Sequence, residues 1–181
     1  MARFVALLRG VNIGPNKRVP MAGLRALMLT LGYTGTGTLL NSGNVVFESS
    51  TRSTAAHATR IQAAIAETLG VVAPVIVKSA KEIAAIEAGN KLATVAADPS
   101  RLLVAFTPEA NDLQGLATLS ALVQPPEQLH LGEHAAYLWC ANGILQSKAG
   151  EALLGKLGRA ATTRNWATVL KISALLRQNA A

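Results

Sequence analysis

Several segments of this chain group cations, side-chain amides, hydroxyls and glycines, the residue types that surround phosphate and carboxylate groups in binding sites. One group lies in the loop at residues 9–18 and the turn at residues 41–44, and the other at residues 147–148 and 162–166. We expect an anionic, phosphate-bearing ligand to contact side chains of both groups, namely Arg9, Asn12, Lys17, Asn41, Ser42, Asn44, Lys148, Arg164 and Asn165.

Neither group matches a standard nucleotide-binding or catalytic motif. Three residues separate Gly10 from Gly14, whereas a Walker A loop has four between its glycines and then Lys-Ser or Lys-Thr. No G-x-G-x-x-G segment is present, and no spacing of histidines, cysteines or carboxylates indicates a metal site. We therefore expect no metal and no cofactor. The only cysteine, Cys140, is expected to be a buried small residue.

Hydrophobic periodicity and turn residues predict the elements that position the first group. Apolar runs, helical spacing and glycine stops alternate in the order βαββαβ, which is typical of a ferredoxin-like unit. The predicted strands are Phe4–Leu8, Thr36–Leu40, Val45–Glu48 and Pro74–Val77. Pro20 is expected in the first turn of the first helix, and Thr54 is expected to cap the second.

The rest of the chain repeats this order imperfectly. After a helix capped by Ser79, we predict strands at Leu102–Phe106, Leu129–Leu131, Ala135–Cys140 and Ile144–Gln146, and helices at Asn111–Val123 and Ser147–Leu157. Thr162 and Thr163 are expected to cap the last helix, which would place Arg164 in its first turn.

The predicted fold class is α+β, with two ferredoxin-like lobes of βαββαβ type that have antiparallel sheets, and a C-terminal helix. We expect residues 1–78 to form the first lobe, 79–100 a connecting helix and linker, and 101–181 the second lobe.

The topology predicts that the loop and the turn of the first group meet. In a ferredoxin-like unit, strand one ends and strand three begins at the same edge of the sheet. Arg9, Asn12 and Lys17 should therefore lie near Asn41 and Ser42, beside the positive end of the helix that starts at Pro20. We also expect the second group to complete one cleft between the lobes.

Charge is divided unevenly along the chain, whose formal net charge is +7. Residues 1–60 carry +6, residues 61–130 carry −3 and residues 131–181 carry +4. The basic excess therefore lies in the regions that contain the candidate site residues. Aromatic residues make up 4% of the chain, which argues against an RNA-binding sheet that stacks bases. With no signal peptide and no apolar span predicted, we expect a cytoplasmic protein without membrane partners.

Four blocks of the sequence together resemble the DUF1697 family, a bacterial family of unknown function. They are ALLRGVNIGPNKRVPMAGLRALM, LLNSGNVVFES, YLWCANGILQSK and ATTRNWATVLKI. The resemblance implies a small α+β protein with ferredoxin-like subdomains, and it includes both candidate groups. Pro15 stands where the family pattern often has glycine, which should stiffen this loop.

Three functions follow as hypotheses. The first is a binding protein for an anionic small molecule or a nucleic acid. The second is an enzyme that acts on a small phosphorylated or carboxylated metabolite and uses the same cations for electrostatic stabilisation. The third is a protein-binding module that uses an exposed strand or the terminal helix. The oligomeric state is not predicted.

Overall fold

The computed structural model describes residues 1–178, which form two compact units. Among the described residues, the first unit comprises 1–83 and 171–178, and the second comprises Ala84–Leu170. Each unit contains a four-stranded antiparallel sheet, so the predicted α+β class with two ferredoxin-like lobes is confirmed. The division at residues 78 and 101 stays a prediction.

The first unit follows the predicted βαββαβ order. Its sheet has the strand order β2-β3-β1-β4, with the two central strands β1 and β3 in antiparallel register from Ala2↔Ser49 to Leu7↔Asn44. The elements are β1 (Ala2–Leu8), α1 (Met21–Thr30), β2 (Thr34–Leu39), β3 (Asn44–Ser49), α2 (Thr54–Leu69) and β4 (Val75–Ser79). Helix α3 (Ala80–Ala88) follows directly.

Alternation along β1 builds the core of the first unit. Phe4, Ala6 and Leu8 point toward α1 and α2 and pack with buried residues of both helices. Helix α2 begins one residue earlier than predicted, because Ser53 rather than Thr54 accepts the capping hydrogen bond, from the amide of Ala56. Ser79 caps α3 as predicted, since its Oγ accepts from the amide of Glu82.

The second unit repeats the topology of the first, with the strand order β6-β7-β5-β8. Its elements are β5 (Leu102–Phe106), a 3₁₀ helix (Ala110–Leu122), β6 (Gln128–Leu131), β7 (Ala136–Trp139), α4 (Lys148–Leu154), β8 (Thr162–Asn165) and α5 (Trp166–Arg177). Short 3₁₀ turns precede β5 at Pro99–Arg101 and α4 at Ile144–Gln146.

The helix between β5 and β6 is a 3₁₀ helix of 13 residues, much longer than most. Its sequence explains this choice, because Leu113, Leu116 and Leu119 recur at intervals of three, the period of a 3₁₀ helix. All three leucines are buried and pack against Leu103 and Ala105 of β5. An α-helix would rotate the same leucines progressively away from the sheet.

Two predicted elements of the second unit are wrong. Ile144–Gln146 is a 3₁₀ turn, and the fourth strand is β8, which pairs with β5 from Leu103↔Asn165 to Phe106↔Thr162. Thr162 and Thr163 therefore lie in a strand and do not cap a helix. The cap of α5 is Asn165, whose Oδ1 accepts from the amide of Thr168 at 2.9 Å.

Tyr137 of β7 predicts a measurable dependence of stability on alkaline pH. It is almost fully buried, its hydroxyl donates to the carbonyl of Ile86 at 2.6 Å, and burial raises its pKa to about 12. Between pH 10 and 12 the unfolded chain loses this proton while the folded chain keeps it. The free energy of unfolding should therefore fall by at most about 1.4 kcal/mol per pH unit from this group.

Urea unfolding of Tyr137→Phe and the wild type at pH 9 and pH 11 isolates this contribution. The variant should be the less stable protein at pH 9, because the Ile86 carbonyl loses its donor, and the difference should narrow at pH 11. An unchanged difference between the two pH values would show that the tyrosine ionises equally in both states.

Candidate functional site

The loop between β1 and α1 is closed by Asn12. Its Oδ1 accepts from the amide of Val19 at 2.9 Å, and its Nδ2 donates to the carbonyl of Val19 at 3.0 Å. The backbone amide of Asn12 also donates to the carbonyl of Lys17 at 3.0 Å. Val11 and Val19 are buried at the two ends of the loop. The segment between them therefore projects from a fixed base.

The turn between β2 and β3 is held by Asn44 and Gly43. Asn44 is 1% exposed, and its Nδ2 donates to the carbonyl of Leu39 and to the Oγ of Ser42, both at 2.9 Å. Gly43 has φ +80°, and a Cβ at this position would lie 2.7 Å from Val11 Cγ2. The turn is therefore packed directly against the start of the loop.

The predicted convergence of loop and turn is confirmed by a hydrogen bond. Asn12 Nδ2 donates to the carbonyl of Asn41 at 2.6 Å, across 29 positions of sequence. We call the loop at residues 9–20 and the turn at residues 40–44 together the loop end of the first unit. Asn12 and Asn44 shape the loop end through backbone contacts, whereas Asn41 and Ser42 are exposed on it.

Three cations belong to the loop end. Lys17 and Arg18 are exposed, and Arg9 is half-buried where the chain leaves β1. Lys17 has φ +56°, a left-handed conformation that costs a non-glycine residue roughly 1–2 kcal/mol. Helix α1 starts beside them at Pro20, which gives no side-chain cap, and its first turn contains no acidic residue.

The second candidate group lies in the second unit, and several of its side chains form hydrogen bonds with backbone groups close in sequence. Ser147 is buried and caps α4 by accepting from the amide of Gly150 at 2.9 Å. Lys148, the first residue of this seven-residue helix, is exposed. Asn165 caps α5, as described above. The ligand contacts expected of Lys148, Arg164 and Asn165 stay predictions.

Arg164 is buried in the sheet of the second unit. It lies in β8 opposite Val104, is 8% exposed, and donates from Nη1 to the Oγ1 of Thr162 at 3.0 Å and to the carbonyl of Thr163 at 2.7 Å. Loss of hydration lowers the pKa of Arg164 to about 10. The prediction that Arg164 lies in the first turn of the last helix is wrong, because the residue belongs to β8 and precedes that helix.

Two substitutions separate the size of Arg164 from its charge. Arg164→Ala should lower the free energy of unfolding by about 2–4 kcal/mol, because it leaves a cavity. Arg164→Met keeps most of the volume but leaves the Thr163 carbonyl without its donor, so it should lower the free energy of unfolding by about 1–2 kcal/mol, less than alanine does. Urea denaturation measures both. Equal losses for the two variants would instead assign the contribution of Arg164 to its hydrogen bonds.

Sequence reasoning named Asn12 and Asn44 as ligand contacts but missed that their side chains hold the loop end together through hydrogen bonds to the backbone. The contacts of Asn12 and the close approach of Gly43 depend on positive φ values, which the glycines signal only in part. Among residues 1–178, no cluster of three or more His, Cys, Asp or Glu side chains is arranged to hold a metal ion. In the same part of the chain, no helix combines the length and apolar character needed to cross a bilayer.

Comparisons with known proteins match a family model and solved structures. The family described as "Protein of unknown function (DUF1697)" matches residues 1–137. The structure of the conserved bacterial protein SP0830 from Streptococcus pneumoniae is similar at 27% identity, with a TM-score of 0.80 over 97% of this chain and 99% of that one. A search of the curated proteins gives no match.

Proposed function

Because the chain belongs to the DUF1697 family, whose members have no assigned activity, we propose from its own residues that the loop end binds an anionic, phosphate-bearing ligand. The observation that carries this proposal is the cationic loop that Asn12 fixes against the turn at Asn41. A preorganised group of cations binds an anion without first losing the conformational entropy of a mobile loop.

The charge around the loop end supports the proposal. Residues 1–47 contain five basic residues and no carboxylate, so no acidic side chain close in sequence competes for Lys17 and Arg18. Guanidinium and ammonium groups form charge-assisted hydrogen bonds with phosphate oxygens. The amino-terminal end of α1 adds a partial positive charge that no first-turn acid neutralises.

The backbone of the loop supports it independently. Gly10, Asn12, Gly14 and Lys17 have φ values of +67°, +57°, +76° and +56°. Positive φ values bend the chain sharply within a few residues, as is typical of compact loops. The strain at Lys17 is a further sign of function, because strained non-glycine backbone concentrates at binding sites.

The composition of the loop end favours binding over catalysis. Residues 9–20 and 40–44 contain no histidine, cysteine or carboxylate. General acid–base catalysis is performed most often by histidine or a carboxylate, and neither residue type is present in these two segments. A small metabolite, a nucleotide and a nucleic-acid backbone all offer the phosphate that the cations would recognise.

Titration of the full chain against three kinds of probe at several salt concentrations tests the proposal and separates the ligand classes. The probes are inorganic phosphate, adenosine triphosphate, and single- and double-stranded oligonucleotides. A nucleic-acid ligand predicts a slope of about −0.7 to −0.9 in log K against log salt per neutralised phosphate, or roughly −2 to −3 for three cations. A small ligand predicts saturation at one molecule per chain. Absence of binding to every probe would overturn the proposal.

A further inference from the structure

A groove of about 590 Å³ lies along one edge of the second sheet, far in sequence from the loop end. Strand β6 forms one wall through Gln128, Leu129 and Leu131, and the 3₁₀ helix forms the other through Ala117 and Ser120. The segment between them closes one end with Val123, Pro125 and Glu127. We call this feature the β6 groove.

Alternate residues of β6 turn their backbone amide and carbonyl groups away from the sheet. Strand β6 is at the edge of its sheet, and the amide of Gly132 donates to the carbonyl of Ala135 at 2.9 Å in the hairpin that joins it to β7. Hydrogen-bonded pairs alternate along an antiparallel ladder, so His130 faces β7 whereas Leu129 and Leu131 turn their amide and carbonyl groups outward. These outward groups form the template for an added strand.

Strand β6 is short, at four residues, but its edge lacks other features that discourage strand addition. Residues 128–131 include no lysine and no proline, and the register between β6 and β7 is continuous without a bulge. Leu129 packs against the core on the helix side, and Leu131, two residues on, is on the same face and is 36% exposed. An added strand would therefore place alternate side chains into the apolar groove beside Ala117.

The charge of this surface favours a peptide with basic residues. Residues 102–147 contain no lysine or arginine but four carboxylates, in a chain whose net charge is +7. Two of these carboxylates flank β6, since Glu127 precedes it within the groove and Glu133 follows it and is 88% exposed. A strand added to β6 would have a carboxylate near each of its ends.

We infer that the β6 groove binds an extended peptide segment of a partner protein by strand addition. The peptide has apolar residues at alternating positions and lysine or arginine near its ends. Backbone hydrogen bonds to Leu129 and Leu131 provide affinity without sequence preference, and the groove and the two carboxylates provide specificity. The inference uses residues of the second unit only, so it is independent of the function proposed for the loop end.

Peptide selection on the full-length protein tests the inference. A displayed library of random octapeptides should enrich sequences in which Val, Ile or Leu alternate with other residues between basic ends. Synthetic versions of the enriched peptides should bind with one peptide per chain and should shift the amide signals of residues 127–132. A selection that enriches no such pattern, or peptides whose signals map elsewhere, would overturn the inference.

Substitutions at Leu131 separate the backbone contribution from the side chain. Leu131→Pro removes the outward amide without removing a ladder hydrogen bond, whereas Leu131→Ala shortens the same side chain and keeps the amide. The selected peptide should bind Leu131→Pro at least 10-fold more weakly than Leu131→Ala. Glu127→Gln should weaken binding of the same peptide at low salt concentration only. Equal affinity for the two Leu131 variants would overturn strand addition.

A second copy of the chain could also occupy an open sheet edge, and self-association is tested in the same samples. Sedimentation of the wild type should show the mass of one chain across the concentrations used for binding. A dimer that dissociates in Leu131→Pro would assign the edge to a second copy of the chain and would contradict the peptide partner.

Discussion

Replacing Gly43 by alanine is expected to lower the free energy of unfolding by about 3 kcal/mol. Two costs combine at this position. The residue has φ +80°, where a side chain costs roughly 1–2 kcal/mol. The new Cβ would also lie 2.7 Å from Val11 Cγ2 and 2.8 Å from Leu8 Cβ, and forcing an extra carbon into packed surroundings costs typically about 1–3 kcal/mol.

Gly70→Ala is the matched control, because it separates the two costs. Gly70 ends α2 with φ +66°, but no heavy atom lies within 4 Å of a Cβ built there. Gly70→Ala should therefore lower the free energy of unfolding by the backbone cost alone, about 1–2 kcal/mol. Urea denaturation of both variants measures the difference. Equal losses would mean that the turn moves away from Val11 at no cost, so that the loop end is less rigid than its contacts imply.

Replacing both Lys17 and Arg18 by alanine is expected to weaken binding of a phosphate-bearing ligand by about 100-fold. Each charge-assisted contact contributes roughly 1.5 kcal/mol, and about 1.4 kcal/mol corresponds to a tenfold change in affinity. Because both side chains are exposed, the stability of the variant should stay within about 0.5 kcal/mol of the wild type. Isothermal titration calorimetry with the tightest-binding probe measures the loss.

The control for this prediction removes the same net charge elsewhere. Arg52 and Lys81 are exposed and follow β3 and β4, at the opposite end of the sheet from the loop end. Arg52→Ala combined with Lys81→Ala should change the affinity less than threefold. If both double variants weaken binding equally, the attraction comes from the net charge of the protein and not from a localised site.

A third variant tests whether the loop must be held in place. Asn12→Gly keeps the φ value of +57° accessible but removes the hydrogen bonds to Val19 and Asn41. All cations remain, so a loss of affinity of about 10-fold would reflect the entropy of fixing the loop. An affinity equal to that of the wild type would show that Asn12 contributes to folding alone.

The first unit was predictable because its signals are local and agree with one another. The apolar run of β1, the helical spacing before Gly32 and the glycine-rich turn at Gly43 each indicate one element, and together they allow one topology. The convergence of loop and turn followed from that topology. The interactions that fix it did not, because they depend on left-handed backbone at Asn12 and Lys17 that no residue type demands.

The second unit was predicted less well because its short segments are ambiguous. Ile144–Gln146 follows Asn142-Gly143, a sequence typical of a hairpin, yet the sheet takes its fourth strand from Thr162–Asn165. Threonine suits both a strand and a helix cap, so Thr162 and Thr163 do not decide between them. This ambiguity also concealed the burial of Arg164, whose environment depends on pairing with Val104 of a distant strand.

The β6 groove was not predictable for a related reason. The repeat of leucine at intervals of three identifies the 3₁₀ helix only once the sheet shows which face is covered. The absence of basic residues between Leu102 and Ser147 is visible in the sequence, but it acquires meaning only when Glu127 and Glu133 are placed at the two ends of an edge strand.

The most direct test of the central proposal is a map of amide chemical shifts in the isotope-labelled full-length protein during titration with adenosine triphosphate or, if it binds more tightly, an oligonucleotide. We predict that the largest changes fall at residues 9–20 and 40–44, and that they are lost in the Lys17→Ala, Arg18→Ala double variant. Saturable changes confined to residues 147–165, or to no defined surface, would contradict the assignment of the anion site to the loop end of the first unit.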